Sequence, residues 1–197
     1  MIINPFWLYK LVDVPNISLI KDECLAVFYK HYPNIFGDRG FTFTYIDQDI
    51  LRVEAPAYTD YLKSLGLYDR WDKSVLIGTK GHERLKDSPI HIDSEDWQTR
   101  CYALNIPLIN CENSYTVWYD VKEYDENAYS GDDQTSKGYK TARGFKPETS
   151  TEIDRLATIN PAWINVSVPH RAENNNSDLR LIISTRFWPE IHDYFNN

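Results

Sequence analysis

"SPIHIDSEDW", Ser88 to Trp97, is where the chain changes character. Upstream of it, apolar residues recur at helical spacing. From Pro89 onward, short β-rich segments and loops take over. Inside the stretch His91 and Asp93 flank Ile92. Residues two apart in a strand share a face, so His91 and Asp93 project together while Ile90 and Ile92 face the other way. An imidazole nitrogen beside a carboxylate oxygen suits a divalent first-row metal. With five histidines and 29 acidic residues, a His-x-acid triplet arises about once by chance. The pair gains weight only from the rest of the chain.

Upstream, Ile20, Cys24, Val27 and Phe28 predict a helix over 17–31, with Ser18 as its cap. "FTFTYID" (41–47) reads as a strand. Pro56 opens a short helix that Gly66 closes, with Tyr58, Tyr61, Leu62 and Leu65 on one side. "SVLIG" (74–78) is a further strand. Downstream, "RCYALNIPLI" (100–109), "SYTVWYD" (114–120), "PAWINVSVPH" (161–170) and "LRLIISTRF" (179–187) are strands, with "AENNNSD" (172–178) as a turn. Residues 120–150 are polar and read as a long loop, a candidate lid. Glu152 and Asp154 belong to a solvated face. The expected fold is an all-β core with flanking helices (α+β), a double-stranded β-helix (jelly-roll, cupin-like) with N-terminal helices packed on it. One domain over 1–197 is expected, with helices and supporting strands in 1–87 and the metal-binding core in 88–188.

The net charge is −8, so no broad basic surface is implied and nucleic acid is not favoured as a partner. No apolar run reaches 18 residues, so no membrane span is expected. "MIINPFWLYKLVDV" (1–14) lacks the layout of a secretory signal, which points to the cytoplasm. Cys24, Cys101 and Cys111 form no CxxC. They read as reduced, buried thiols, not as a disulfide framework or a zinc site.

Read as one strand, "WINVSVPH" sets Ile164, Val166, Val168 and His170 on one face. A histidine closing an apolar face is by itself more often a packed residue than a ligand. Beside His91 and Asp93, however, His170 completes two imidazoles and one carboxylate, the facial triad of non-haem Fe(II) oxygenases. Arg180 follows ten residues later and shares a face with Ile182, Ser184 and Arg186. A guanidinium there can grip a carboxylate with two parallel bonds. With His170 taken as the end of its strand, Arg180 re-enters beside the metal and Arg186 lies about 20 Å further along.

The order His91-x-Asp93, a long gap, His170, then Arg180 resembles the Fe(II)/2-oxoglutarate-dependent oxygenases. Arg100 stands nine residues after His91, and "HRAENNNSDLRLIIS" (170–184) is similar to the closing segment of the aspartyl/asparaginyl β-hydroxylase branch, with Asn174 and Arg180 in its layout. Prolyl hydroxylases share the His-x-Asp and the arginine at position nine. The resemblance covers about residues 88–188. It departs from the first branch in keeping Asp93, and from the second in having Pro107 near the place of a tyrosine. Asn105 is the polar residue that points the same way as Ala103 and Pro107. The resemblance implies Fe(II) on His91, Asp93 and His170. It implies 2-oxoglutarate on Arg180, with Arg100 and Asn105 as further contacts, and O2 as oxidant. The products would be succinate, CO2 and an oxidised small molecule or polypeptide side chain. Two other readings stay open: a cupin-like metal protein whose reaction needs no 2-oxoglutarate, and a non-catalytic jelly-roll interaction protein.

Overall fold

Ile20, Cys24, Val27 and Phe28 line the buried side of helix α1 (Ile17–His31). The structure is a computed structural model and describes residues 7–33, 41–80, 90–93, 102–122 and 143–188. At the start of α1, Asn16 occupies the cap position with φ 55° and no side chain caps the helix; Ser18 lies inside it. A second helix, α2 (Gln48–Glu54), was not expected from the sequence. The Asp47 side chain caps it, accepting from the backbone N–H of Asp49 at 2.8 Å. Pro56 opens α3 (Pro56–Ser64) as expected, and Gly66 turns the chain beyond it with φ 67°.

The strands are β1 (Tyr9–Leu11), β2 (Phe41–Ile46), β3 (Trp71–Lys80), β4 (Ile90–Ile92), β5 (Tyr102–Ile109), β6 (Ser114–Val121), β7 (Arg143–Phe145), β8 (Ser150–Ala157), β9 (Ala162–Asn165), β10 (His170–Asn174) and β11 (Leu179–Phe187). They form a six-stranded sheet in the order β1-β9-β5-β11-β3-β2 and a five-stranded sheet in the order β7-β4-β10-β6-β8, antiparallel throughout. From β3 to β11 the chain passes back and forth between the sheets. The central strands β9-β5-β11-β3 and β4-β10-β6-β8 are those of an eight-stranded jelly roll, the double-stranded β-helix expected. The helices cover the outer face of the larger sheet, where Leu76, Leu104, Ile106, Leu181 and Ile183 join Leu51, Tyr58 and Leu62 in one core. The inner face meets the smaller sheet through Ala103, Trp118, Leu156, Ala162, Ile164 and Val166. No helix among the described residues is long and apolar enough to cross a membrane.

Three sequence expectations change. "PAWINVSVPH" is not one strand. β9 ends at Asn165, residues 166–169 cross between the sheets, and His170 opens β10. The apolar residues Val166 and Val168 mimic a continuing strand because the crossing itself is packed; Val166 is fully buried. The turn after β10 is correspondingly shorter than "AENNNSD", since Ala172 to Asn174 belong to the strand. The expected loop at 120–150 includes β7 and the start of β8; its residues 123–142 lie outside the described residues. β8 escaped notice because it is an edge strand exposed at most positions. Glu152 and Asp154 are exposed on it, as expected.

Candidate metal centre

His91 and His170 are cross-strand partners on β4 and β10, so their side chains leave the sheet on the same side. Their ring centroids are 4.7 Å apart. Asp93, two residues beyond His91, follows it to that side, and its Oδ1 lies 3.4 Å from His91 Nε2. One ligand atom from each of His91, Asp93 and His170 can be chosen so that all three lie within 4.8 Å of one another. The three sequence-predicted ligands are therefore brought together.

The crossing at 166–169 sets two of them. The Val166 carbonyl accepts the Asp93 backbone N–H at 2.8 Å. The Val168 carbonyl lies 2.9 Å from His170 Nδ1. Donation from Nδ1 to that carbonyl fixes the tautomer and leaves Nε2 as the lone-pair nitrogen. The crossing is itself held by Asn165, whose Oδ1 accepts from the Ser167 backbone N–H at 3.1 Å and its hydroxyl at 2.6 Å. On the other side of His170, its partner Trp118 is fully buried and donates from Nε1 to the Asn165 carbonyl at 2.9 Å.

Burial first, then the nearby His91, pushes the His170 imidazole down to about 4, against the pull of Asp93. Its neutral form, the form that binds metal, is therefore favoured at neutral pH. Burial opposes ionisation of Asp93. The Arg186 guanidinium, the hydrogen bond and charge of His91, and the charge of His170 outweigh it, and hold the carboxyl well below the usual carboxylate range.

The two arginines of β11 stand the other way round from the sequence expectation. Arg186 reaches the cluster, pairing through Nη2 with Asp93 Oδ2 and donating from Nη1 to Ser184 Oγ at 2.8 Å. Arg180 sits at the opposite end of the barrel interior. His170 begins β10, so β10 runs away from the cluster and β11 returns toward it. Arg180 thus starts at the far end and Arg186 arrives at the level of the ligands. Arg180 is 1% exposed. Its Nε donates to Ser114 Oγ at 3.1 Å, and its Nη1 has no hydrogen-bond partner. Burial pushes its ionisation downward, with Cys111 opposing, but a guanidinium stays a cation in a folded protein. No carboxylate among the described residues pairs with it. An unpaired buried cation is costly, and this one has the chemistry of a receptor for an anion.

Ser114 and Trp118 are four residues apart on β6, about 13 Å at strand rise. Between the two ends, the inward positions carry mostly short side chains: Thr116 and Ala172 on one sheet, Ser184, Ile182 and Asn105 on the other. Asn105 lies opposite Ser184 and Ala162, points the same way as Ala103 and Pro107 as expected, and has a buried Oδ1 without a hydrogen-bond partner among the described residues. It lines a small cavity with Pro107, Thr116, Leu156, Thr158 and Ile182. Arg100 lies outside the described residues. Sequence reasoning missed Ser114 as the partner of Arg180 and Arg186 as the partner of Asp93; the inward alternation of β11 was the available signal for the second.

No family model and no curated protein matches this chain. Solved structures do resemble it. One is the non-heme alpha ketoglutarate dependent epimerase SnoN from nogalamycin biosynthesis, with TM-score 0.48 and 12% identity, covering 91% of this chain and 78% of that one. Another is the carbocyclase SnoK of the same biosynthesis, with TM-score 0.46, 14% identity and coverage of 91% and 79%. A third is a prolyl-4-hydroxylase of Pseudomonas putida, with TM-score 0.41, 9% identity and coverage of 91% of both chains. Similarity at this level does not extend to substrate or reaction.

Proposed function

We propose that the protein is a non-haem Fe(II)- and 2-oxoglutarate-dependent oxygenase. The observation that carries the reading is the pairing of two features in one barrel interior. At one end His91, Asp93 and His170 offer two nitrogens and an oxygen within 4.8 Å. At the other, Arg180 is a buried guanidinium with Nη1 unpartnered. Two histidines and one carboxylate are the donor set of non-haem Fe(II) sites with open positions, and an arginine that pairs with no carboxylate among the described residues supports a co-substrate that carries a second carboxylate.

In this reading His91, Asp93 and His170 hold Fe(II), while Arg180, steadied by Ser114, receives the distal carboxylate of 2-oxoglutarate. The bound metal and co-substrate supply the oxidation of substrate by O2, coupled to release of succinate and CO2. The chain's own contribution is placement and exclusion. The Val168 carbonyl keeps His170 in one tautomer. Trp118, Ile164 and Val166 close the interior behind the ligands against water, which strengthens charge pairing there. Asn105 adds a second polar contact. Thr116, Ala172 and Ser184 are the shorter inward side chains between the two ends. We propose hydroxylation of an amino-acid or polypeptide side chain as the reaction. Succinate formation from 2-oxoglutarate by Fe(II)-reconstituted protein, screened over peptide, amino-acid and nucleoside libraries, tests it. Stimulation by one class supports the reading. Metal-dependent turnover without any 2-oxoglutarate requirement favours the cupin-like alternative, in which Arg180 has no diacid to hold.

A further inference from the structure

We infer that Arg186 is a positioning residue that restricts Asp93 to a single donor oxygen at the metal centre. The inference rests on the metal-centre reading above and deepens it. β11 belongs to the sheet facing β4, so Arg186 reaches Asp93 across the barrel interior. Its Nη2 pairs with Asp93 Oδ2, while its Nη1 is tied to Ser184 Oγ at 2.8 Å. The other oxygen, Oδ1, is the one turned toward His91, 3.4 Å from Nε2. The Asp93 backbone is meanwhile anchored to the Val166 carbonyl. Both side chains are mostly buried, 12% and 18% exposed. The carboxylate therefore cannot turn without breaking an ion pair in a poorly solvated place.

The consequence is chemical. A carboxylate with both oxygens available can chelate a divalent ion and take two coordination positions. With Oδ2 engaged by Arg186, Asp93 supplies one. Three protein donors then leave three positions for co-substrate and O2. The arrangement has a cost that makes it testable. A guanidinium beside a divalent cation opposes binding, so the clamp keeps the site open at the expense of affinity. Ordinary damage to the site has the opposite signature, since it weakens metal binding.

Co(II) is the probe, because its visible absorption reports coordination number without turnover. Apo protein and its Arg186→Met variant are titrated with Co(II), and their apo melting temperatures are measured. The variant is expected to melt lower without metal, because Asp93 has lost its counter-ion. It is also expected to bind Co(II) about tenfold more tightly, the size of a charge repulsion removed at high effective dielectric. Its spectrum should differ from that of the parent. In an Asp93→Asn background, the same substitution should leave the spectrum unmoved. Equal or weaker Co(II) affinity in Arg186→Met, or an unchanged spectrum, overturns the assignment. If Arg186→Met does not fold, Arg186→Lys decides: loss of the fork frees the carboxylate and shifts the spectrum, and a parental spectrum overturns the assignment. Failure of the parent protein to bind Co(II) at all is a separate result, and sinks the metal centre itself.

Discussion

His170 meets His91 across the antiparallel pair that joins β10 to β4, their rings 4.7 Å apart. The candidate metal centre is therefore built by strand register, which sets the two imidazoles on one side of the sheet. Substituting either histidine by alanine removes one of the three candidate ligands. Purified protein reconstituted anaerobically should hold about one Fe(II) per chain. His91→Ala and His170→Ala should each abolish binding, measured by metal analysis after desalting. Retention of the metal in both variants contradicts the ligand set.

Asp93→Ala should be less severe for metal binding but costly for folding. It strands Arg186 in a mostly buried site, where an unpaired charge costs on the order of 2 kcal/mol. Chemical denaturation of the apo variant should show that loss. An unaltered midpoint would mean that Arg186 finds water or another partner.

Acid should weaken the apo fold through His170. Its folded-state ionisation is pushed down to about 4 by burial and by His91, below that of an unfolded histidine at about 6.5. Between these values the unfolded chain binds a proton that the folded one does not, so stability falls as pH falls through that window and is level above it. Asp93 acts in the same direction but lower, below its unfolded value near 3.9. Urea denaturation at pH 5 and pH 7 should give the lower midpoint at pH 5, and His170→Gln should shrink the difference. A pH-independent midpoint over that range contradicts the burial of a neutral imidazole.

Tyr58 ties α3 to the outer face of the larger sheet. It is fully buried, and its hydroxyl meets Ser74 Oγ at 3.0 Å and also Thr185 Oγ1. Ser74 and Thr185 bond each other at 3.0 Å, and Trp71 Nε1 donates to Ser74 at 3.0 Å. Losing the hydroxyl therefore leaves no orphan. Tyr58→Phe should cost about 1 kcal/mol, and Tyr58→Ala about 3–5 kcal/mol through the cavity it opens. Equal losses would show that packing of the ring contributes nothing.

Cys24 should resist alkylation in the native protein. It is 1% exposed, and burial, then Glu23, pushes its thiol up to about 12, so almost no thiolate exists at pH 8. Peptide mapping after brief treatment with a thiol reagent checks this, and rapid labelling of Cys24 contradicts it.

The candidate ligands were legible because strand alternation is strict: once "PIHID" is a strand, His91 and Asp93 must share a face. The helix over 17–31 was legible for the same kind of reason. What failed was direction. Val166 and Val168 carry the apolar pattern of a strand while crossing between sheets, so His170 seemed to end a strand that it opens. That single misreading exchanged the levels of Arg180 and Arg186. α2 was hidden by its brevity between a strand and Pro56. β8 was hidden by its exposure, since an edge strand with residues such as Glu152 and Arg155 lacks the buried alternate face that gives strands away.

The most direct test of the metal-and-diacid reading is an anaerobic titration of 2-oxoglutarate into the Fe(II)-loaded protein, followed by the visible charge-transfer absorption of an Fe(II)–2-oxo acid chelate. The parent protein should develop the band and saturate at about one equivalent. Arg180→Ala should need far more 2-oxoglutarate for the same band while retaining its Fe(II). Arg180→Lys should recover part of the loss, since charge survives but the two-pronged grip does not. Fe(II) bound with no band at any concentration, or an Arg180→Ala titration that overlays the parent, contradicts the account.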